Sequence, residues 1–307
     1  MRYIIQLNTG SFSRSMLKAE EVIDTLEYCL KLLKVEKLIF GWAPDMELNQ
    51  KICSFLEAYP IETYLWLPVF AEIQDFEKTR KNQNIVSTEK MDFNACDEDD
   101  FEFACQSDDR AVNRAVEVFE QLTKGCHVDG VFLDRIRYAS LATSPGAIYG
   151  CWCPKCQEMY LKKGIDTKKI QGLAKKNSLE EFLPEGQEHG LYHFADPDID
   201  KLMEVKRNTI NRQVEKLCQI FRSRGLKIGV DTFAPTIADF VGQDLETLGK
   251  QTDFMKPMVY LRTDAPAGLW SPEFCGIGYD HCDYWRIHRS FGGRYRIFEC
   301  RFYHFHD

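Results

Sequence analysis

Hydrophobic residues along this 307-residue chain fall into two alternating rhythms. Short apolar runs, rich in β-branched and aromatic residues, occur at "RYIIQLN" (2–8), "EKLIFGWAP" (36–44), "TYLWLPVFAE" (63–72), "VDGVFLDRIRY" (128–138), "LKIGVDTFAP" (226–235) and "DFMKPMVYLR" (253–262). Their length and composition predict buried strands. Between them the period lengthens to that of a helix. Val22, Ile23, Leu26, Leu30 and Leu33 share one face of 18–33, and Val112, Ala115, Val116, Phe119 and Leu122 share one face of 110–124. Residues 197–223 repeat the pattern with Ile199, Met203, Ile210, Val214, Leu217 and Phe221, with Asp196 as cap and Pro197 as first helical residue. Gly125 and Gly225 follow two of these helices as stop signals.

Strand and helix in strict alternation imply parallel strands joined by crossovers. Six or seven such units favour an α/β fold of the (β/α)8 TIM-barrel type over an open doubly wound sheet. No G-x-G-x-x-G follows the first strand, which disfavours a dinucleotide fold. The expectation is one barrel domain over 1–307, with long loops at 73–109 after strand three and 139–196 after strand four. Both leave C-terminal strand ends, the face on which barrel enzymes build their sites. The count runs one strand short. "RYRIFECRFYHF" (295–306) supplies a seventh strand, after which the barrel stays incomplete.

Within each strand, alternation sorts the side chains. Gly130, Phe132 and Asp134 share a face opposite Val131 and Leu133. Gly229 and Asp231 lie opposite Ile228 and Val230, and Lys256, Met258 and Tyr260 lie opposite Pro257 and Val259. Asp134, Asp231, Lys256 and Tyr260 should therefore converge at the barrel mouth. Two carboxylates on neighbouring strand ends are what glycoside hydrolysis needs: one donates a proton to the leaving oxygen, the other attacks or activates water. Arg135 and Lys256 would tune these carboxylates, and Trp42, Trp66 and Tyr260 could stack on a sugar. Glu72 and Asp45 are further carboxylates on the same face, Asp45 doubling as a helix cap. A structural alternative stays open, in which an Asp–Lys–Arg network merely closes the barrel interior.

Composition narrows the partners. Net charge is −8 with Lys and Arg scattered, which argues against nucleic acid. No apolar run is long enough for a membrane span, and "MRYIIQLNTGSF" is expected to be a first strand rather than a secretory leader. A cytoplasmic setting follows as an expectation, with twelve cysteines mostly reduced. Cys29, Cys53 and Cys218 read as small core residues, while the sequence leaves the oligomeric state, homo-oligomer included, open. The seven histidines show no H-E-x-x-H spacing, and the one H-x-H is His304–His306 near the end of the chain.

Residues 150–156, "GCWCPKC", are the exception among the cysteines. C-x-C-x-x-C offers Cys151, Cys153 and Cys156, three thiolates for a tetrahedral zinc that needs four ligands. The loop after strand three offers Cys96 and Cys105 as the fourth. Ordinary reduced thiols are the rival reading. The redox reading is weaker, since the C-x-x-C context of a thioredoxin-like site is missing.

The fragment "FACQSDDRAVNRA" together with the C-x-C-x-x-C resembles the zinc site of the glycoside hydrolase family 42 β-galactosidases. That resemblance favours Cys105 and implies a structural zinc pinning two loops around an active site. Strand four, "DGVFLDRIRY", and strand six, "FMKPMVY", also look like those of uncharacterised glycosyl-hydrolase-like barrels, so the likeness extends over roughly residues 1–262. Departures from family 42 are clear: its strand four ends in Asn-Glu where Asp134-Arg135 stand here, and the counterpart of its nucleophile is Glu299. The resulting expectation is a glycosidase with a carbohydrate substrate, with Asp134, Asp231 and Glu299 as catalytic residues. The competing readings are a carbohydrate-binding or degenerate barrel, and another hydrolase or lyase using Lys256 as base or Schiff-base amine.

Overall fold

The computed structural model describes residues 2–10, 17–71, 103–140, 145–176 and 182–259, and the backbone of 295–300. The elements, in chain order, are β1 (Arg2–Asn8), α1 (Ala19–Leu32), β2 (Val35–Gly41), α2 (Met46–Leu56), β3 (Glu62–Pro68), α3 (Asp109–Leu122) and β4 (Gly130–Asp134). A 3₁₀ turn (Pro145–Tyr149), α4 (Pro154–Lys162), α5 (Thr167–Lys176) and a hairpin of β5 (Gly186–Glu188) and β6 (Leu191–His193) follow. The remainder is α6 (Pro197–Arg222), β7 (Lys227–Phe233), α7 (Pro235–Ala238), α8 (Leu245–Gln251), β8 (Phe254–Met258) and β9 (Tyr295–Cys300). The long loop after strand four thus carries two helices and a hairpin of its own. Of the loop expected over 73–109, residues up to 102 lie outside the described ones.

One parallel sheet runs in the order β8-β7-β4-β3-β2-β1-β9. The sheet is curled. Five steps of about 4.8 Å would hold β8 and β1 about 24 Å apart in a flat sheet, yet Lys256 Nζ on β8 donates to Gln6 Oε1 on β1. Among the described residues no pairing joins β8 to β9, and what is described is a curled parallel half-barrel consistent with an incomplete TIM-type barrel.

Two hydrophobic layers follow from the period-2 alternation. Ile5, Leu7, Leu38, Phe40, Leu65, Leu67, Val131, Leu133, Ile228 and Val230 point outward and pack under the helices. Ile4, Ile39, Tyr64, Trp66 and Phe132, with Phe254 against them, fill the interior. The interior alternates large and absent side chains: a Cβ on Gly130 would sit 2.4 Å from the Tyr64 ring, and one on Gly229 would sit 2.3 Å from that of Phe254. Glycine is required at both positions because a neighbour's ring occupies the space.

Helix ends follow the sequence signals. Asp45 Oδ1 accepts from Leu48 N–H at 2.9 Å, and Asp196 Oδ1 accepts from Asp198 N–H at 2.9 Å just before Pro197. Asp45 is therefore the cap of α2. Each such cap answers backbone donors the helix leaves unpaired.

Candidate functional site

β4 ends in Asp134 because alternation from Gly130 and Phe132 turns its side chain inward, beside the end of β3 (Pro68↔Asp134). The residue is 5% exposed. Its Oδ2 accepts from Trp66 Nε1 at 2.9 Å, and its Oδ1 accepts from the Arg135 N–H at 2.5 Å. Both oxygens are thus acceptors, held by an indole two residues back on the adjacent strand and by the next peptide.

The backbone around this carboxylate is strained. Arg135 has φ +53° and Trp42, after β2, has φ +88°, in the left-handed region that non-glycine residues rarely enter. These two residues touch: the Arg135 guanidinium lies 5.4 Å from the Trp42 ring centre, and Trp42 stacks obliquely on Trp66 at 4.7 Å. Trp66, expected as a sugar platform, uses its N–H to orient Asp134. Both tryptophans are 7% exposed.

Asp231 sits on the inner face of β7, level with Lys256 on β8. Asp231 Oδ2 and Lys256 Nζ pair at 3.0 Å, both buried, and the same ammonium donates to Gln6. Three expected residues, Asp134, Asp231 and Lys256, are therefore brought to the inner face of neighbouring strands. Tyr260 and Glu72 lie outside the described residues. Glu299 is placed by register only: its Cα pairs with that of Gln6.

Gln243, Arg137 and Gln6 had no part in the sequence expectation. The β4–β7 ladder ends at Leu133↔Val230, and Gln243 takes over beyond it. Its Nε2 donates to Ile136 O at 3.5 Å and Asp231 O at 3.3 Å, while its Oε1 accepts from Phe233 N–H at 2.8 Å. This amide ties together the two strand ends that carry the aspartates. Arg137 is buried with its guanidinium 4.4 Å from the Phe233 ring and 5.2 Å from Phe103. Gln6 had a faint signal, a polar residue at an inward position of an apolar strand. Gln243 had none, since its role depends on two segments more than a hundred residues apart.

The cysteines form a second, closed centre. An isolated bridge between Ala71 and Phe103 returns the loop to the end of β3, and Ala104 N–H donates to Phe70 O at 2.7 Å. This sets Cys105 beside the start of α4, where Cys153 is the N-cap residue and Pro154 the first helical one. Cys105, Cys151, Cys153 and Cys156 are all buried, and their sulfurs lie within 4.8 Å of one another. Cys105 is 3.4 Å from Cys156 and 3.8 Å from Cys153. A tetrahedral zinc with Zn–S near 2.3 Å would separate its sulfurs by about 3.8 Å, so the donor set fits one metal ion. Ser107 Oγ adjoins Cys105 and Cys156 at 3.1 and 3.3 Å.

Electrostatics agree with a cation here. Burial pushes the Cys151 thiol up, while the Cys105 thiol is pushed down by hydrogen bonds from Cys151, Cys153 and Cys156. Alone, the four do not all favour the thiolate, since Cys151 and Cys156 are pushed up while Cys105 and Cys153 are pushed down; a divalent ion would hold all four ionised. The tetrad is also joined to the mouth, because Gln106, next to Cys105, donates from Nε2 to Arg137 O at 3.2 Å.

No family model matches the chain, and no curated protein does. Among solved structures it is similar to the PgaB (BpsB) glycoside hydrolase domain from Bordetella bronchiseptica, with a TM-score of 0.52 and 14% identity over 83% of this chain and 73% of that one. It is also similar to α-L-fucosidase isoenzyme 2 from Paenibacillus thiaminolyticus, with a TM-score of 0.50 and 12% identity over 98% of this chain. The chain spans 46% of that fucosidase's length. At such identities the likeness is one of fold, a curled parallel sheet shared with these two structures.

Proposed function

We infer that the chain is a glycosidase-type hydrolase acting on a carbohydrate, with Asp134 and Asp231 as its carboxylate pair. The observation that carries this reading is the setting of Asp134: a buried carboxylate at a C-terminal strand end, gripped by Trp66 and flanked by strained backbone. Strain of this kind persists where the surroundings over-determine it, and it clusters at functional sites. The glycoside hydrolases among the fold neighbours support the substrate class by analogy.

The geometry suggests roles. Because both Asp134 oxygens accept N–H donors, the group is arranged as a nucleophile or base rather than as a proton donor. Asp231, paired with Lys256, supplies a second charge on the adjacent strand, and Arg135 adds a cation beside Trp42. Glu299, at the register position beside Gln6, is the further carboxylate of the set. The cysteine tetrad would hold a structural zinc that clamps the loops after β3 and β4. The lyase alternative is disfavoured, since the Lys256 ammonium is engaged by Asp231 and Gln6, whereas a Schiff base needs a free neutral amine. The same network favours a second reading, a degenerate barrel whose interior charges only close the fold.

Aryl α- and β-glycosides separate the two. Cleavage of one of them by the wild type, abolished in Asp134→Asn or Asp231→Asn variants that still fold, supports the glycosidase. An inert wild type supports the degenerate barrel, and an active wild type matched by both mutants removes Asp134 and Asp231 as the pair.

A further inference from the structure

Gln6 lies on the inner face of β1 and is 1% exposed. Its neighbours along the strand, Ile5 and Leu7, belong to the outer layer under the helices, whereas Ile4 belongs to the interior. One end of its amide is fixed. Oε1 accepts from Lys256 Nζ, and that ammonium also pairs with Asp231 at 3.0 Å. An ammonium has donors only, so turning the amide over would set NH₂ against NH₃⁺. The other end is therefore a donor. Among the described residues, Gln6 Nε2 is buried with no hydrogen-bond partner. A buried donor left unmade carries its full desolvation penalty, and native structures hold few of them.

The row Asp231–Lys256–Gln6 crosses the interior from β7 to β1, on the inner face that also carries Asp134 on β4. Its Asp231–Lys256 charges offset each other, and at its Gln6 end it offers one neutral N–H donor. We propose that Gln6 Nε2 is the donor at the floor of the sugar-binding subsite and takes an uncharged ligand oxygen, a hydroxyl or an N-acyl carbonyl. The inference rests on the glycosidase reading and names the chemistry at its deepest point. It also accounts for the buried lysine, because Lys256 fixes which way the amide faces and thereby which ligand atom it accepts.

Two variants of the full chain, Gln6→Glu and Gln6→Met, test this, with the aryl glycoside that the wild type cleaves fastest as the probe. Gln6→Glu keeps an acceptor opposite Lys256, so it should still unfold cooperatively, with a Tm nearer the wild type's than that of Gln6→Met. The donor is gone, and kcat/KM falls roughly ten- to hundredfold. Gln6→Met loses both ends, and Tm and kcat/KM fall together. A purely structural role predicts the opposite split, with full activity in the stable Gln6→Glu variant. That result overturns the inference and leaves the glycosidase reading standing. A wild type that prefers aryl uronides to neutral glycosides also overturns it, because the floor would then be taking a charged oxygen. A wild type that neither cleaves nor binds any glycoside overturns both.

Discussion

The two ends of the barrel both carry charge, and they handle it differently. At the N-terminal end, Glu62 of β3 accepts from Lys37 of β2, from Lys227 of β7 and from Tyr64 Oη. Asp129 accepts from Thr63 N–H, and Asp253 accepts from Ile228 N–H, so each acid fastens one strand to the next. These groups stay near water; the Glu62 side chain is 31% exposed. At the C-terminal end Asp134, Asp231 and Lys256 are all buried, beside the left-handed Trp42 and Arg135. Burying charge costs several kcal/mol per ion before pairing offsets it, and strain adds to that cost. The lower end gains cohesion from charge at small desolvation cost. The upper end accepts both penalties, as sites that hold fixed groups for a ligand do.

The sharpest way to break this contrast is to neutralise one acid at each end. Asp134→Asn should lower the rate on a cleaved glycoside about a thousandfold or more, as expected for a nucleophile or base. Glu62→Gln should leave kcat/KM within about twofold while lowering stability on the order of 1 kcal/mol, since Glu62 and its partner Lys227 both reach water. If both variants lose activity alike, or neither does, the mouth is not a site.

Next in size is the cysteine centre, which belongs to the upper end. Metal analysis of the purified protein should give about one zinc per chain, and Cys151→Ser should abolish it and lower Tm by roughly ten degrees, because metal binding is folding free energy in such centres. Metal-free protein of undiminished Tm, with all four thiols open to alkylation, would remove the clamp from the comparison.

pH separates the two ends more gently. Burial alone would raise Glu62, but hydrogen bonds from Lys227, Lys37 and Tyr64 hold it down to about 2, against an ordinary 4.5. A depressed acid stabilises above its unfolded value, so this contribution should be full above about pH 4.5 and fade as pH falls towards 2. Lys206, on the upper side, has the opposite sign. Fully buried, it donates to Ile148 O at 2.8 Å and to Phe240 O, joining the loops after β4 and β7. Burial pushes it down to about 7 from an ordinary 10.5, with Asp239 pulling weakly the other way. Between these values the unfolded chain binds the extra proton, so stability should rise with pH from about 7 to 10.5. Lys206→Met should flatten that rise in denaturant titrations, and Glu62→Gln should flatten the acid limb. An unchanged slope in either variant assigns the pH dependence elsewhere.

Much of the upper end was legible one strand at a time. Alternation from Gly130 and Gly229 put Asp134 and Asp231 on the inner face, and the structure keeps them there. Asp196-Pro197 marked the start of α6, and Asp45 the start of α2. The spacing of Cys151, Cys153 and Cys156 pointed to a shared centre, and the structure brings Cys105, the loop cysteine the resemblance favoured, to the same place. The tryptophans were read less well. Trp66 was expected only as a ring for a sugar, and the approach of β4 is what shows its N–H turned to Asp134.

What the sequence determined by itself was periodicity, because side-chain direction in a strand or helix is a property of local backbone geometry that each segment carries independently. It indicated which residues face inward, where helices begin, and which three thiols lie close together. What only the tertiary structure decided was contact across the curl: Gln6 with Lys256, 250 residues apart, Gln243 bridging the ends of β4 and β7, and Lys206 reaching two carbonyls on separate loops. Such pairs depend on how far the sheet bends and on which loops fold back over it. Bending is set by the summed packing of all the strands and helices, and no stretch of sequence expresses that sum.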